Sequence, residues 1–127
     1  MKSQQARAAA TVRHVQVELH DRRGNLDARA IARRLGVSLE RLAPALGYTP
    51  QGVARNPASE RLQERLAPIA HVLERLRALL ANSRSVATWL RAPHPDLGGQ
   101  TPLAFVLSGR AATVATLLHL AEAGQPA

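Results

Sequence analysis

A periodic run of large apolar residues limits the fold more than any other feature of this sequence. Between residues 62 and 80 they recur at alternating spacings of four and three, which places them on one side of a helix. These residues are Leu62, Leu66, Ile69, Leu73, Leu76 and Leu80. The spacing predicts a long helix over residues 57–81, with Val72 and Leu79 widening the apolar face. Pro68 inside it should kink the helix near Glu64–Arg65. The face either packs in the core of one domain or pairs with a second copy of the chain as a coiled coil.

The composition favours helices throughout the chain. Aromatic residues make up only 2% of the 127 residues, so the core must be built from Leu, Ala and Val, a set that favours helix over strand. The chain has no cysteine, which excludes disulfides and thiolate chemistry. No apolar run is long enough to span a membrane, and the polar, basic N-terminus does not resemble a secretory signal. We therefore expect an all-α protein of the cytoplasm.

Capping residues and glycines mark where the other helices begin and end. The predicted N-caps are Asp27, Ser38, Thr49 and Thr101, and the glycines that end helices are Gly36, Gly47, Gly109 and Gly124. The predicted helices cover residues 28–35, 39–46 (weakened by Pro44), 50–55, 57–81, Ser83 or Ser85 to Arg91, 102–108 and 110–123. We predict four parts: a flexible basic arm over 1–25, a helix-turn-helix region over 26–56, a connecting helix over 57–81 and a small helical domain over 82–127.

The spacing of a helix-turn-helix motif occurs twice in the second of these parts. An alanine, a glycine and an aliphatic residue follow the motif's spacing at Ala32, Gly36 and Leu42, and again at Ala43, Gly47 and Val53. The small alanine lets two helices approach, and the glycine permits a left-handed turn. The second copy would make residues 49–55 the recognition helix, and the residues expected to contact DNA are Arg41, Thr49, Gln51 and Arg55. A helical scaffold that keeps the shape without binding DNA is the alternative.

The charge of the chain favours an anionic partner, whereas no residue pattern favours catalysis. The formal net charge is +8, and 16 of the 17 basic residues are arginine. Nucleic acid is therefore the first candidate partner, with Arg33 and Arg34 able to contact phosphates. Arginine that only solvates helix faces would explain the same composition. The five histidines are scattered without metal-ligand spacing, so we expect no catalytic residue, no metal and no cofactor.

The stretch from Trp89 to Leu103 contains the only tryptophan and two adjacent glycines. Pro93 and Pro95 disfavour helix at the residues before them, and Gly98-Gly99 permits a sharp turn. Thr101-Pro102 then restarts a helix, because proline fits the first helical position. Such a segment either presents a fixed shape to a partner or forms a tight connection between two helices.

Several short motifs in this region occur in the order found in one known family. They are Trp89-Leu90, Pro93, Leu97-Gly98-Gly99, Thr101-Pro102-Leu103, Gly109 and Val114. Over residues 27–123 the chain resembles the Xre/MbcA/ParS antitoxins, which join an Xre-like helix-turn-helix to a small C-terminal toxin-binding domain. Asn56-Pro57 followed by Leu62, Leu66, Pro68 and Leu73 is similar to the MbcA-like branch.

The resemblance implies the antitoxin of a type II toxin–antitoxin system. Its partner would be a RES-domain toxin that degrades NAD or transfers ADP-ribose, and the antitoxin would obstruct the toxin's NAD-binding site. It would hold no NAD itself. Operator DNA is a second expected partner, and a homodimer within a larger toxin–antitoxin complex is a further expectation. A stand-alone helix-turn-helix regulator is the alternative function.

The resemblance also implies which residues contact the toxin. The expected toxin-binding residues are Trp89, Leu90, Leu97, Gly98, Gly99, Pro102, Leu103, Arg110, Val114 and Leu117, the last three on the helix over 110–123. Tryptophan is a common anchor of interfaces, and a loop stiffened by proline loses little entropy on docking. The alternative is that Trp89 and Leu103 are core residues that fix the last helices together, and for Trp89 the core role is the favoured one.

Overall fold

Seven α-helices account for most of the regular structure in residues 18–124, the part of the chain that the computed structural model describes. The helices are α1 Ala28–Leu35, α2 Leu39–Leu42, α3 Pro50–Arg55, α4 Glu60–Leu79, α5 Ser83–Arg91, α6 Pro102–Leu107 and α7 Ala111–Glu122. Two short 3₁₀ segments, Ala43–Leu46 and Pro95–Leu97, follow α2 and α5 respectively. The predicted all-α fold class is confirmed. No helix within these residues combines the length and apolar character that crossing a bilayer requires.

The predicted N-caps form because each side-chain oxygen satisfies a backbone N–H that the first helical turn leaves unpaired. Asp27 accepts hydrogen bonds from the backbone N–H groups of Arg29 and Ala30 at the start of α1. The other three predicted caps accept hydrogen bonds in the same way at α2, α3 and α6, and they are Ser38, Thr49 and Thr101. The local sequence therefore determines where these helices begin.

Some predicted helix bounds were wrong. Helix α4 begins at Glu60 rather than Pro57, because the hydroxyl of Ser59 caps it by accepting a hydrogen bond from the N–H of Leu62. The helix predicted over residues 39–46 changes from α to 3₁₀ at Ala43. Pro44 has no N–H to donate to the carbonyl one α-helical turn earlier, which explains the change. The last helix covers Ala111–Glu122, two residues less than predicted.

The apolar face of α4 is the centre of the core. Leu62, Leu66 and Val72 have no exposed surface, and Leu76 is 1% exposed. Because other helices of the same chain cover this face, it is not free to pair with a second copy as a coiled coil. Leu79 was predicted on the same face but is 49% exposed, and it lies instead at the surface.

The predicted parts of the chain share this one core. Buried residues from Leu19 to Leu118 belong to the same apolar cluster. Residues 1–17 of the predicted flexible arm lie outside the described residues. The end of that arm is packed, because Leu19 is 4% exposed and its carbonyl accepts a hydrogen bond from the N–H of Asp27. The division into four parts remains a prediction.

The side chain of Arg91 on α5 also contacts the C-terminal end of α1. Its Nη2 donates to the carbonyl oxygens of Leu35 at 3.0 Å and Gly36 at 3.2 Å. Helix α5 thereby satisfies carbonyl groups at the C-terminal end of α1, where a cation is also favoured by the helix dipole. Gly36 provides the room for this contact, since a Cβ atom there would lie 2.5 Å from Nη2.

Candidate functional site

An open apolar groove lies between the C-terminal end of α4, helix α5, the loop after α5 and helix α7. Its volume is 460 Å³, and we refer to it as the docking groove. The residues that line it are Leu76, Leu79, Leu80, Trp89, His94, Asp96, Leu97, Thr113, Thr116, Leu117, Leu118, Leu120 and Ala121. Only two of these, His94 and Asp96, carry an ionisable side chain, so the groove offers a mainly apolar surface to a partner.

Two leucines of the docking groove are unusually exposed. Leu79, the last residue of α4, is 49% exposed, and Leu120 on α7 is 45% exposed. They are the exposed large hydrophobic residues among residues 18–124. Scattered exposed leucines are ordinary, but two that line one apolar groove mark a candidate binding surface.

An ion pair joins α4 and α7, two helices that line the docking groove. The Nε of Arg75 on α4 donates to the Glu122 carboxylate at 2.7 Å, and a second guanidinium nitrogen of Arg75 contacts the other carboxylate oxygen. Such a two-point contact constrains both side chains more than a single hydrogen bond would. Helices α4 and α7, which also pack directly against each other, are therefore held in position before any partner arrives.

Trp89 and His94 form the side of the groove nearest the proline-rich loop. The two rings meet edge to face, with their centroids 6.2 Å apart and an interplanar angle of 62°. The backbone N–H of Asp96 donates to Nδ1 of His94 at 3.2 Å, which orients the imidazole. Trp89 is half-buried, so it both packs against the core and faces the groove.

The glycine turn continues from the docking groove at Leu97. Gly98 and Gly99 adopt left-handed φ angles of 64° and 81°, which only glycine adopts without strain. Hydrogen bonds from the N–H of His94 to the carbonyl of Gln100 and from the N–H of Gly99 to the carbonyl of His94, each 3.0 Å, close the loop. Both glycines are exposed, and a Cβ at either would meet no atom within 4 Å. The turn is thus a fixed and open shape.

The structure brings together three of the ten residues predicted to bind a toxin. Trp89, Leu97 and Leu117 line the docking groove. Leu97 is nevertheless 4% exposed, so it forms the floor of the groove rather than its rim. Gly98 and Gly99 lie directly beyond it in the exposed turn.

Other predicted toxin-binding side chains are buried and serve the core. Leu90 and Val114 have no exposed surface, Leu103 is 7% exposed, and Pro102 is also fully buried. Side chains with so little exposed surface are expected to hold the surface in shape, and which residues contact a toxin remains a prediction. Arg110 is exposed but does not line the groove, since its guanidinium lies 3.9 Å above the Phe105 ring.

The sequence interpretation missed the two exposed leucines. Leu79 was assigned to the core-facing side of the long helix, and Leu120 was not singled out. Leu120 lies three positions after Leu117, which lines the same groove, and that helical spacing is the signal that could have identified it. No such signal exists for Leu79, because the helix was predicted over residues 57–81 whereas it ends at Leu79.

Both copies of the helix-turn-helix spacing have the expected local geometry. Gly36 and Gly47 each have a φ of 75°, in the left-handed region. The four apolar positions that should hold the paired helices together are buried, and they are Ala32, Leu42, Ala43 and Val53. The turn geometry was therefore correctly predicted, whereas DNA binding remains a prediction.

The four residues predicted to contact DNA are all exposed, but one of them already has a structural role. The hydroxyl of Thr49 accepts a hydrogen bond from the N–H of Gly52 at 3.0 Å and caps α3. Gln51 and Arg55 on α3 and Arg41 on α2 have side chains without a hydrogen-bond or ion-pair partner within residues 18–124. These three remain available to an external ligand.

Comparison with known families identifies one match. Residues 75–124 match the family described as the antitoxin Xre/MbcA/ParS C-terminal toxin-binding domain. Every residue that lines the docking groove, from Leu76 to Ala121, lies within the matched range. No curated protein and no solved structure matches the chain. The resemblance inferred from the motifs between Trp89 and Val114 is thereby confirmed.

Proposed function

Since residues 75–124 of this chain match the Xre/MbcA/ParS antitoxin C-terminal toxin-binding domain, we propose that the protein neutralises its toxin through the docking groove. The family supports an antitoxin role, with a toxin protein as partner, and suggests a regulator without catalysis of its own. The proposal also specifies the surface that binds the toxin, the kind of toxin and the way in which the toxin is inhibited.

The main support for the docking groove as the toxin-binding surface is the cluster of exposed apolar residues in it. The two exposed leucines, Leu79 and Leu120, lie in the same groove as Trp89, and that groove is formed wholly by the matched segment. Binding energy at protein interfaces concentrates in a few apolar or aromatic anchors surrounded by a polar rim. Thr113 and Thr116, together with Asp96, can supply such a rim.

We further propose that the partner is a RES-domain toxin and that the antitoxin covers the toxin's NAD-binding site. The docking groove is mainly apolar and its only basic side chain is His94, so it is unsuited to hold the pyrophosphate of NAD itself. Inhibition would therefore be steric, with the apolar groove and the Gly98-Gly99 turn seated against the toxin. A preformed turn loses little conformational entropy on docking.

Autorepression through the helix-turn-helix region is a further element of the proposal. Helix α3 presents Gln51 and Arg55, residue types that read adenine and guanine edges in the major groove. The turn geometry at Gly47 supports this assignment, and the same geometry supports the alternative of a stand-alone transcriptional regulator. The two functions differ in whether a toxin partner exists.

The function is tested by producing this protein together with the product of the neighbouring reading frame. We expect the two to purify as one complex, and we expect the neighbouring protein alone to consume NAD at a rate that this protein suppresses at equimolar concentration. Complex formation without any NAD consumption would contradict the RES assignment but keep the antitoxin role. Absence of a complex, together with retained operator binding, would favour the stand-alone regulator.

A further inference from the structure

A shallow basin lined by four arginines lies between α1 and α5. Its volume is 710 Å³, it contains no carboxylate, and it shares no lining residue with the docking groove. We call it the arginine basin. The residues that line it are Arg33, Arg34, Gly36, Ser83, Arg84, Ala87, Thr88, Arg91 and Ala92.

Two of the four arginines are held in place by the protein. Arg34 on α1 and Arg77 on α4 both donate to the hydroxyl of Ser83, at 3.3 Å and 3.2 Å, and Arg34 also pairs with Glu18. Arg91 is held by the carbonyl groups at the end of α1. The positive charge is therefore ordered before a ligand binds.

Cationic groups are crowded at this basin. Burial lowers the pKa of Arg34, and the nearby positive charge of Arg77 lowers it further. Both effects disfavour the charged form, so a bound anion would relieve them. Glu18, which pairs with Arg34, does not line the basin.

The other two arginines are free to contact a ligand. Arg33 and Arg84 are exposed, and their guanidinium groups have no hydrogen-bond or ion-pair partner in the described part of the chain. A planar guanidinium can bind a phosphate through two parallel N–H groups. The arginine basin thus combines two fixed cations with two that can adjust.

We propose that the arginine basin binds the phosphodiester backbone of nucleic acid. The other side chains in it are small or polar, and none is a large apolar group of the kind that anchors protein partners. An open, cationic surface without such an anchor suits a backbone that is recognised by charge alone. The inference is independent of the toxin proposal, and it adds a phosphate contact on a surface other than α3.

The test measures binding of a fluorescein-labelled duplex DNA of arbitrary sequence, by anisotropy, at a series of salt concentrations. We expect Arg33→Ala/Arg84→Ala to weaken binding by about tenfold at low salt. We also expect it to reduce the slope of log K against log salt by about 1.8, the value for two lost phosphate contacts. The matched control is Arg22→Ala/Arg61→Ala, which removes the same charge from exposed positions outside the basin.

A second comparison uses Gln51→Ala/Arg55→Ala on α3, and circular dichroism verifies that every variant keeps its helix content. A large loss in the basin variant with a small loss in the control supports the proposal. Equal losses in both would show that only net charge matters and would overturn it. Loss confined to the α3 variant would overturn it in favour of the helix-turn-helix surface. Unchanged DNA binding in the basin variant would also overturn it.

Discussion

Replacing Leu79 and Leu120 together by lysine is expected to weaken toxin binding by about 100-fold or more. Each leucine is nearly half exposed in the free protein, and each would be covered in the complex. Truncating an interface anchor typically costs about 2 kcal/mol, and a charge in its place must also be desolvated. Two such losses exceed the roughly 2.7 kcal/mol that corresponds to a 100-fold change in Kd. The Kd is measured by titrating the toxin against each variant.

The fold should survive this double substitution. Leu79 and Leu120 lie near the C-terminal ends of α4 and α7, where lysine is favoured by the helix dipole. The matched control is Ala54→Lys/Ala67→Lys, which adds the same charge at exposed positions outside residues 75–124. Equal Kd values for the leucine variant and the unmodified protein would show that the toxin binds elsewhere.

Replacing Gly36 by alanine is expected to lower the free energy of unfolding by about 2–4 kcal/mol. The left-handed φ of 75° strains an alanine by about 1–2 kcal/mol. The added Cβ would also displace the Arg91 guanidinium, and losing those hydrogen bonds should cost about 1–2 kcal/mol at this partly exposed site. Urea denaturation followed by circular dichroism measures the change.

Gly24→Ala separates the two causes. Gly24 has a φ of 86°, yet a Cβ there would meet no atom within 4 Å, so only the backbone strain of about 1–2 kcal/mol applies. Arg91→Ala removes the hydrogen bonds without the strain. Adding Arg91→Ala to Gly36→Ala should then have little further effect, because the contact is already lost. Fully additive losses would contradict the role assigned to Arg91.

Local chemistry made much of the fold predictable. Side chains that cap a helix act within three residues of themselves, so Asp27, Ser38, Thr49 and Thr101 could be identified from the sequence alone. The left-handed turns at Gly36 and Gly47 follow from the same kind of short-range requirement. The start of α4 was predicted three residues early because proline is also favoured at the first helical position, and Ser59 provided the actual cap.

The candidate site was less predictable, because exposure depends on how distant elements pack. Family motifs do not distinguish a residue that touches a partner from one that shapes the surface. Leu90 and Val114 belong to the motif and are fully buried, whereas Leu79 and Leu120 lie outside it and are exposed. The contact between Arg91 and Gly36 joins residues 55 positions apart, and no local pattern indicates it.

The most direct test of the docking groove uses the single tryptophan of the chain. Because Trp89 lines the groove, incorporating 5-fluorotryptophan places one ¹⁹F label there and nowhere else. On addition of unlabelled toxin we expect the Trp89 resonance to shift and broaden. Half of the change should be reached when the free toxin concentration equals the Kd measured by titration. If a stable complex forms while the resonance keeps its position, the toxin does not bind in the docking groove.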